Sequence, residues 1–476
     1  MSDGMGRSSA RDGQMPLRDI MDKKKRKNEY ALERLFGRIL SPFEAFLKRT
    51  TAGGIVLMGT TVLTLIAANS AWGDAFLRFW EQRVRFGIGS LQLEMSLHDL
   101  INDGLMSLFF LVVGLELKRE MKVGELSSWR DAALPVFAAA GGMVVPALVY
   151  FAVNPHGTAA AGWGIPMATD IAFAVGILVL LSWRIPPGLI IFLTALAIAD
   201  DLGAVLVIAL FYTHEISLGA IGFASAVLFL LLLLNRGGIR HAIPYGVLGV
   251  LLWMALHHSG VHSTLAGVLL AFTIPARPAR APAEFEQRLV ELQNAFHAEA
   301  AAPDFVDQPL SNPRMATIAE TLERNSRAVQ SPLQRMEHRL GPWVTFIVIP
   351  LFALNNVGID FEKIALLQGL CEPVTMGVCL GLVFGKFTGI SVFSWIAVRL
   401  GIGRLPSEVR WRHLLGVAWL GGIGFTMSLF ISQLAFDDRL LQEQAKLGIL
   451  TASLLSAMIG MTWLYFGGTR ARPNPE

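Results

Sequence analysis

Three aspartates and one lysine stand in stretches that are otherwise apolar enough to enter a bilayer. Asp170 lies in PMATDIAFAVGILVLL (166–181), Asp200 and Asp201 in GLIIFLTALAIADDLGAVLVIALF (188–211), and Lys386 in GLVFGKFTGISVF (381–393). A carboxylate at the bilayer centre costs about 2.5–3.5 kcal/mol on insertion scales. Three of them in two successive segments imply a function that offsets this cost. The chemistry these groups allow is the reversible holding of a small cation or a proton. Hard cations take oxygen ligands, and carboxylates, the Thr169 hydroxyl and carbonyls freed at a helix break would supply them. A carboxylate taken out of water and set beside an ammonium can exchange a proton for a metal cation. Competition between the two ions yields antiport, provided the empty charged site does not cross. On a helix Asp200 and Asp201 point about 100° apart. One can therefore bind an ion while the other pairs with a cation, and Lys386, read as the only lysine inside a span, is the natural partner.

These groups need a membrane scaffold, and the composition supplies one. Of 476 residues, 53% are hydrophobic and only 16% charged, against about 25% charged in a soluble domain. The expected fold is an all-α polytopic membrane protein of about twelve transmembrane helices. Spans one to eight fall within 46–275, with a β-hairpin near 80–96, where RVRFGIGSLQLEM (83–95) alternates around Gly87-Ile88-Gly89. Residues 276–338 form an extended loop. Two helical stripes run through it, Phe285, Leu289, Leu292 and Phe296, then Ile318, Leu322, Val329, Leu333 and Met336. Spans nine to twelve fall within 339–467. Residues 1–45, with a KKKRK run at 23–27, form a polar tail unlike a signal peptide, and 468–476 a short basic one. Lys and Arg crowd the side that carries both tails and the 276–338 loop, so both termini are expected in the cytoplasm and the hairpin outside.

The fourth and eleventh spans share a peculiarity. Each is long enough to cross, and each is interrupted near its middle. Pro166 and Thr169 break one, while Gly421, Gly422 and Gly424 weaken the other. Paired broken segments in two halves of a chain point to a midplane ion site between inverted repeats. Their facing helix ends carry partial charges of about half an electron, which Asp170 would offset at the positive ends and Lys386 at the negative ends. At the inner end of the second span, Glu116 and Glu120 share a face and Arg119 can pair with Glu116. Cys371 and Cys379, eight apart in one apolar segment, are too distant on a helix for a disulfide. Cys and His are too sparse for a metal centre, and no cofactor or nucleic-acid partner is implied.

At these residues the chain resembles the NhaA-type sodium/proton antiporters of bacteria. The strings that carry the resemblance are INDGLMSLFFLVVGLELKRE (101–120), GGMVVPALVY (141–150), IPMATDIAFAVG (165–176), FLTALAIADDLGAVLVIALFYT (192–213), SGVHSTLAG (259–267), GKFTGIS (385–391) and GGIGFTMSLFI (421–431). The resemblance implies inverted-topology repeats with crossing broken helices at spans four and eleven, and a homodimer joined through the outer hairpin in the bacterial inner membrane. It implies electrogenic export of Na⁺ or Li⁺ for more than one inward H⁺, activated at alkaline pH. By matching position, Asp200 and Asp201 form the core of the ion and proton site and hold Na⁺. Asp200 pairs with Lys386, and Thr169 and Asp170 serve the crossing. Asp103 falls near the ion route. Glu116, Arg119, Glu120, His262 and Glu337 fall on positions associated with the pH response. The long N-terminal tail and the expanded 276–335 segment depart from compact members of the family.

Three other readings compete. An intramembrane aspartyl enzyme needs two aspartates on different helices facing one water, which the adjacent Asp200–Asp201 pair does not provide, although Asp170 can partner Asp201. A prenyltransferase needs a second acidic cluster, which is absent. An uncoupled cation channel on the same scaffold is the reading that sequence separates least well.

Overall fold

A computed structural model of the chain describes residues 52–88, 91–213, 216–300, 312–359 and 366–467. The tails expected at 1–45 and 468–476 lie outside the described residues. Helix α1 (Ala52–Ala68) turns by 117° into α2 (Gly73–Trp80). Strands β1 (Arg83–Ile88) and β2 (Leu91–Ser96) then pair antiparallel, from Arg83 opposite Ser96 to Ile88 opposite Leu91. Gly87 and Ile88, expected in the turn, are paired, and the connection falls at 89–90, outside the described residues. Ser96 ends the hairpin and starts the next span. Its hydroxyl accepts from Asp99 N (2.9 Å), while the Asp99 carboxylate accepts from Ser96 N (3.3 Å).

The remaining chain is almost entirely helical. One helical turn, a π-helical segment (Leu100–Leu105) and α3 (Met106–Val123) make a single long rod. Then come α4 (Trp129–Val153), a 3₁₀ segment (Thr158–Met167), α5 (Ile171–Leu180), α6 (Pro187–Phe211), α7 (Leu218–Arg236), α8 (Ala242–His257) and α9 (Leu265–Thr273). Beyond them, α10 (Pro282–Ala300) and α11 (Pro313–Val329) pack on each other. Helix α12 (Pro332–Trp343) continues through a π segment (Val344–Val348) into α13 (Ile349–Asn356). Helix α14 (Pro373–Leu380) continues through a third π segment (Gly381–Gly385) into α15 (Lys386–Arg399), and α16 (Trp411–Leu420), α17 (Phe425–Ala435) and α18 (Arg439–Gly467) complete the fold.

Among the described residues, seven of these rods are long and apolar enough to cross a membrane. Two bent pairs, α1–α2 and α16–α17, raise the number to nine. The other expected spans coincide with α8, α9 and the rod ending at α13, which fall short on length or apolar character. The 276–338 segment is not a loop to its end. A capping box at Ser331 and Gln334 starts α12, so the expected second stripe divides. Ile318, Leu322 and Val329 ride on α11, whereas Leu333 and Met336 pack into the core on α12.

The site is positioned by close helix contact. Where α4 meets α15, a Cβ on Gly141 would stand 2.3 Å from the Gly389 carbonyl oxygen, and one on Gly389 2.1 Å from that of Gly141. Only glycine at both positions lets the two backbones touch, as small residues do between membrane helices. This brings Lys386, one turn before Gly389, against Gly142.

The interrupted spans are held from outside. A 3₁₀ run of ten residues is unusual. Here the Tyr150 hydroxyl donates to Ala159 O (2.7 Å), the Tyr212 hydroxyl donates to Ala161 O (2.8 Å), and Gly164 N donates to the Tyr212 oxygen (3.2 Å). The break itself lies at Ala168–Asp170, just after Pro166. In the partner span, Gly421 and Gly424 keep negative φ of −58° and −88°. They are therefore not needed for a left-handed turn. A Cβ on Gly422 would lie 2.5 Å from Leu382 O. The requirement at that glycine is room for a neighbouring backbone.

Candidate functional site

The two breaks are bonded to each other. Asp170 N donates to Ile423 O (2.7 Å), and the Ser428 hydroxyl donates to Ile165 O (2.7 Å). Asp170 caps both following helices. One carboxylate oxygen accepts from Phe173 N (3.0 Å) at the start of α5. The other accepts from Thr426 N (3.1 Å) and the Thr426 hydroxyl (2.6 Å) at the start of α17. Two helix N-termini of about half a positive charge each thus meet one buried carboxylate. The expected offset of the positive ends is seen in this geometry, and Thr426, which sequence reasoning missed, is the residue that ties the second helix to it.

Lys386 is completely buried, as are Asp200, Asp201 and Thr169. Its ammonium donates to Asp200 Oδ2 (2.5 Å) and to the Thr169 hydroxyl oxygen (3.0 Å). That hydroxyl stands 2.8 Å from Asp200 Oδ2 and 2.9 Å from Gly421 O, two acceptors for its single proton. The carbonyl at the end of α16 is met directly by Thr169, and the Lys386 ammonium reaches it through that hydroxyl. Asp200 Oδ1 and both carboxylate oxygens of Asp201 have no hydrogen-bond partner within the protein. A buried charge without partners is costly, and three such oxygens on two adjacent residues are donors suited to a desolvated cation or a proton. Asp170 differs. Both of its oxygens accept hydrogen bonds from the two helix ends.

Lys386 is not the only lysine within a span helix. Lys118 is also buried, and its ammonium donates to Ala271 O (3.4 Å), Phe272 O (2.7 Å) and Ile274 O (2.5 Å). It caps the end of α9 as a cation caps a helix C-terminus. Lys446 lies inside α18. Both escaped notice because their helices extend past the apolar stretches that marked the spans.

The acidic cluster at the far end of α3 assembles across two helices. Arg119 lies 3.1 Å from Glu337 on α12, 3.2 Å from Glu120 and 3.9 Å from Glu116. His262 does not join it. Ser263, next in the chain, accepts from Ser107 near the start of α3 (3.3 Å), whereas Lys118 reaches the other end of α9. That places His262 roughly 15 Å or more away along the helix. Asp103 lies at the same end as His262, paired with His257 at 3.5 Å. Both cysteines are free. Among the described residues no group of three or more His, Cys, Asp or Glu could hold a metal.

A multi-pass helical membrane protein whose two interrupted helices cross beside a buried lysine–aspartate pair and unpartnered carboxylates has the build of a secondary transporter. The family model for Na⁺/H⁺ antiporter 1 matches residues 44–464. A Na(+)/H(+) antiporter NhaA of Acidithiobacillus ferrooxidans is 58% identical over 90% of this chain and 98% of its own length. Na(+)/H(+) antiporter NhaA 2 of Syntrophotalea carbinolica is 49% identical (89% and 96%), and Na(+)/H(+) antiporter NhaA 1 of Saccharophagus degradans 45% identical (92% and 95%). The chain belongs to the Na⁺/H⁺ antiporter 1 family.

Proposed function

We propose that this chain is a secondary antiporter that moves Na⁺ or Li⁺ in one direction and H⁺ in the other through the Asp200–Asp201 site. The observation that carries this reading is the trio of buried carboxylate oxygens without protein partners beside the Lys386–Asp200 pair. With Lys386 charged and both carboxylates ionised, the site holds one net negative charge. One Na⁺ at Asp201 and the free oxygen of Asp200 neutralises it, and so does a proton. The two occupants exclude each other, so the site crosses only when filled, and exchange follows. A proton at Asp201 alone gives one-for-one, electroneutral exchange, so the electrogenic cycle that the resemblance implies requires a second proton, held at the Lys386–Asp200 pair when Na⁺ leaves. Thr169 keeps Lys386 and Asp200 in register, and Asp170 balances the helix ends that must move around the site.

Twelve helices with inverted repeats, both termini cytoplasmic, in a bacterial inner membrane complete the proposal, supported by the asymmetry of Lys and Arg between the two sides. The two-stranded hairpin leaves strand edges able to pair with a second copy, which supports a homodimer. The Arg119 cluster with Glu116, Glu120 and Glu337 supports pH regulation from the cytoplasmic side. Proteoliposomes with a set pH gradient test the reading. Added Na⁺ should dissipate the gradient with the wild type and not with Asp201→Asn. Reversal of the proton flux when the Na⁺ gradient is inverted excludes an uncoupled channel.

A further inference from the structure

The rod that carries α3 is gripped on both sides at its hairpin end. Within the π segment, Asn102 faces α13. Its side-chain oxygen accepts from Asn356 Nδ2 (2.8 Å) and Asn355 Nδ2 (3.3 Å), and its amide donates to His98 Nε2 (3.0 Å). His98 Nδ1 then donates to Asn355 Oδ1 (3.0 Å). These bonds tie the rod to α13 on the side opposite α8. The next residue, Asp103, faces α8 and is held twice. The Trp253 indole N–H donates to its carbonyl oxygen (3.2 Å), and its carboxylate lies 3.5 Å from His257 Nδ1. The Trp253 ring stacks on the His257 ring at 5.6 Å. Both members of the ion pair keep a quarter or more of their side-chain surface exposed, so protons reach them.

We propose that His257 and Asp103 form a proton-operated latch between α8 and the span of α3, through which the pH on the hairpin face of the membrane sets the exchange rate. This rests on the antiporter reading; His257 lies outside the Asp200–Asp201 site, and Asp103 falls near the expected ion route. Histidine titrates within the physiological range. Charged His257 pairs with Asp103 and ties the two helices. Neutral His257 leaves only the Trp253 bond, and the rod moves more freely. Exchange therefore rises as the hairpin face becomes alkaline. Among the described residues, the titratable groups around His257 are Asp103 and Asp99 from that span and His258 on its own helix, with His262 in the turn to α9. Of the helices packed on α8, α9 carries no charged residue, and α7 carries only Arg236, at its far end.

The test uses inverted vesicles with the lumenal pH, on the hairpin face, set independently of the outer pH. Wild type should show a rise in Na⁺-driven flux with a single-proton inflection as the pH of that face is raised. His257→Gln should be fast and flat, and His257→Arg slow and flat. A mere packing role would move both variants the same way. Histidine NMR of the purified protein, with His257→Gln for assignment, reads the latch without transport. Asp103→Asn should move the His257 titration to lower pH. An unchanged inflection in His257→Gln, or an unchanged His257 titration in Asp103→Asn, overturns the latch. Retained flux in Asp201→Asn overturns the antiporter site instead, and the NMR result still decides the latch.

Discussion

Replacing Thr426 by valine isolates the bond that joins the two broken spans. Valine keeps the shape of threonine and substitutes a methyl group for the hydroxyl that donates to Asp170 at 2.6 Å. Asp170 is 2% and Thr426 4% exposed, so water does not replace the lost donor freely. A hydrogen bond to a buried charge contributes about 1.5–3 kcal/mol, or about ten- to a hundredfold in the folding equilibrium. Two backbone donors, from Phe173 and Thr426, remain on the carboxylate, which sets the loss at one bond and not the whole cap. The assay is denaturant-induced unfolding in mixed micelles, with Thr426→Ser as the variant that restores the donor. A double-mutant cycle with Asp170→Asn isolates the pairwise energy. The Na⁺ KM should be unchanged, because the three free oxygens are untouched. Stability of Thr426→Val equal to wild type, or zero coupling to Asp170, refutes the shared cap.

Thr169→Val leaves the Gly421 carbonyl and one Lys386 donor without a partner, and should raise the Na⁺ KM about tenfold or more, with Thr169→Ser near wild type in the same flux assay. Gly389→Ala drives a methyl into the Gly141 carbonyl. It should destabilise by about 1–3 kcal/mol, read as a lower melting temperature in detergent. Lys118→Met removes the cap of α9 and should lower stability by about 1.5–3 kcal/mol, partly restored in Lys118→Arg. In the hairpin, the hydrogen bond and charge of Arg85, with a smaller contribution from Arg83, hold the exposed Glu94 carboxyl below its usual range. A lowered folded value stabilises the pairing above the unfolded value of about 4.3 and is lost as pH falls through the folded value. Hydrogen-exchange protection of the strands should therefore fall in acid, and Glu94→Gln should remove that dependence.

Asp200, Asp201 and Lys386 were legible because charge inside an apolar run is conspicuous. The breaks after Pro166 and at Gly421–Gly424 were legible because a proline, or a run of glycines, interrupts a helix. Thr426 and Ser428 were not, because a hydroxyl is cheap in a membrane helix and nothing local marks which distant group it will meet. Lys118 was not singled out, because it lies where the apolar run of the second span ends. Only packing against α9 reveals that it turns inward. The glycines of the eleventh span were recognised as a weak point in the helix, but that Gly422 also makes room for the Leu382 backbone was not visible, because another helix supplies it. The Asp103–His257 pair joins positions more than 150 apart in sequence, and no periodicity connects them. The 3₁₀ run at Thr158–Met167 is set by two tyrosines on neighbouring helices, which the Ala- and Gly-rich stretch itself does not announce.

The most direct measurement is Na⁺-driven proton flux in proteoliposomes carrying the full chain, with Asp201→Asn and Asp200→Asn beside wild type. All three should be folded, confirmed by equal melting in detergent. Wild type should dissipate an imposed pH gradient on addition of Na⁺, and neither variant should. Coupled flux that persists in folded Asp201→Asn would place the ion elsewhere and contradict the assignment of the buried carboxylates.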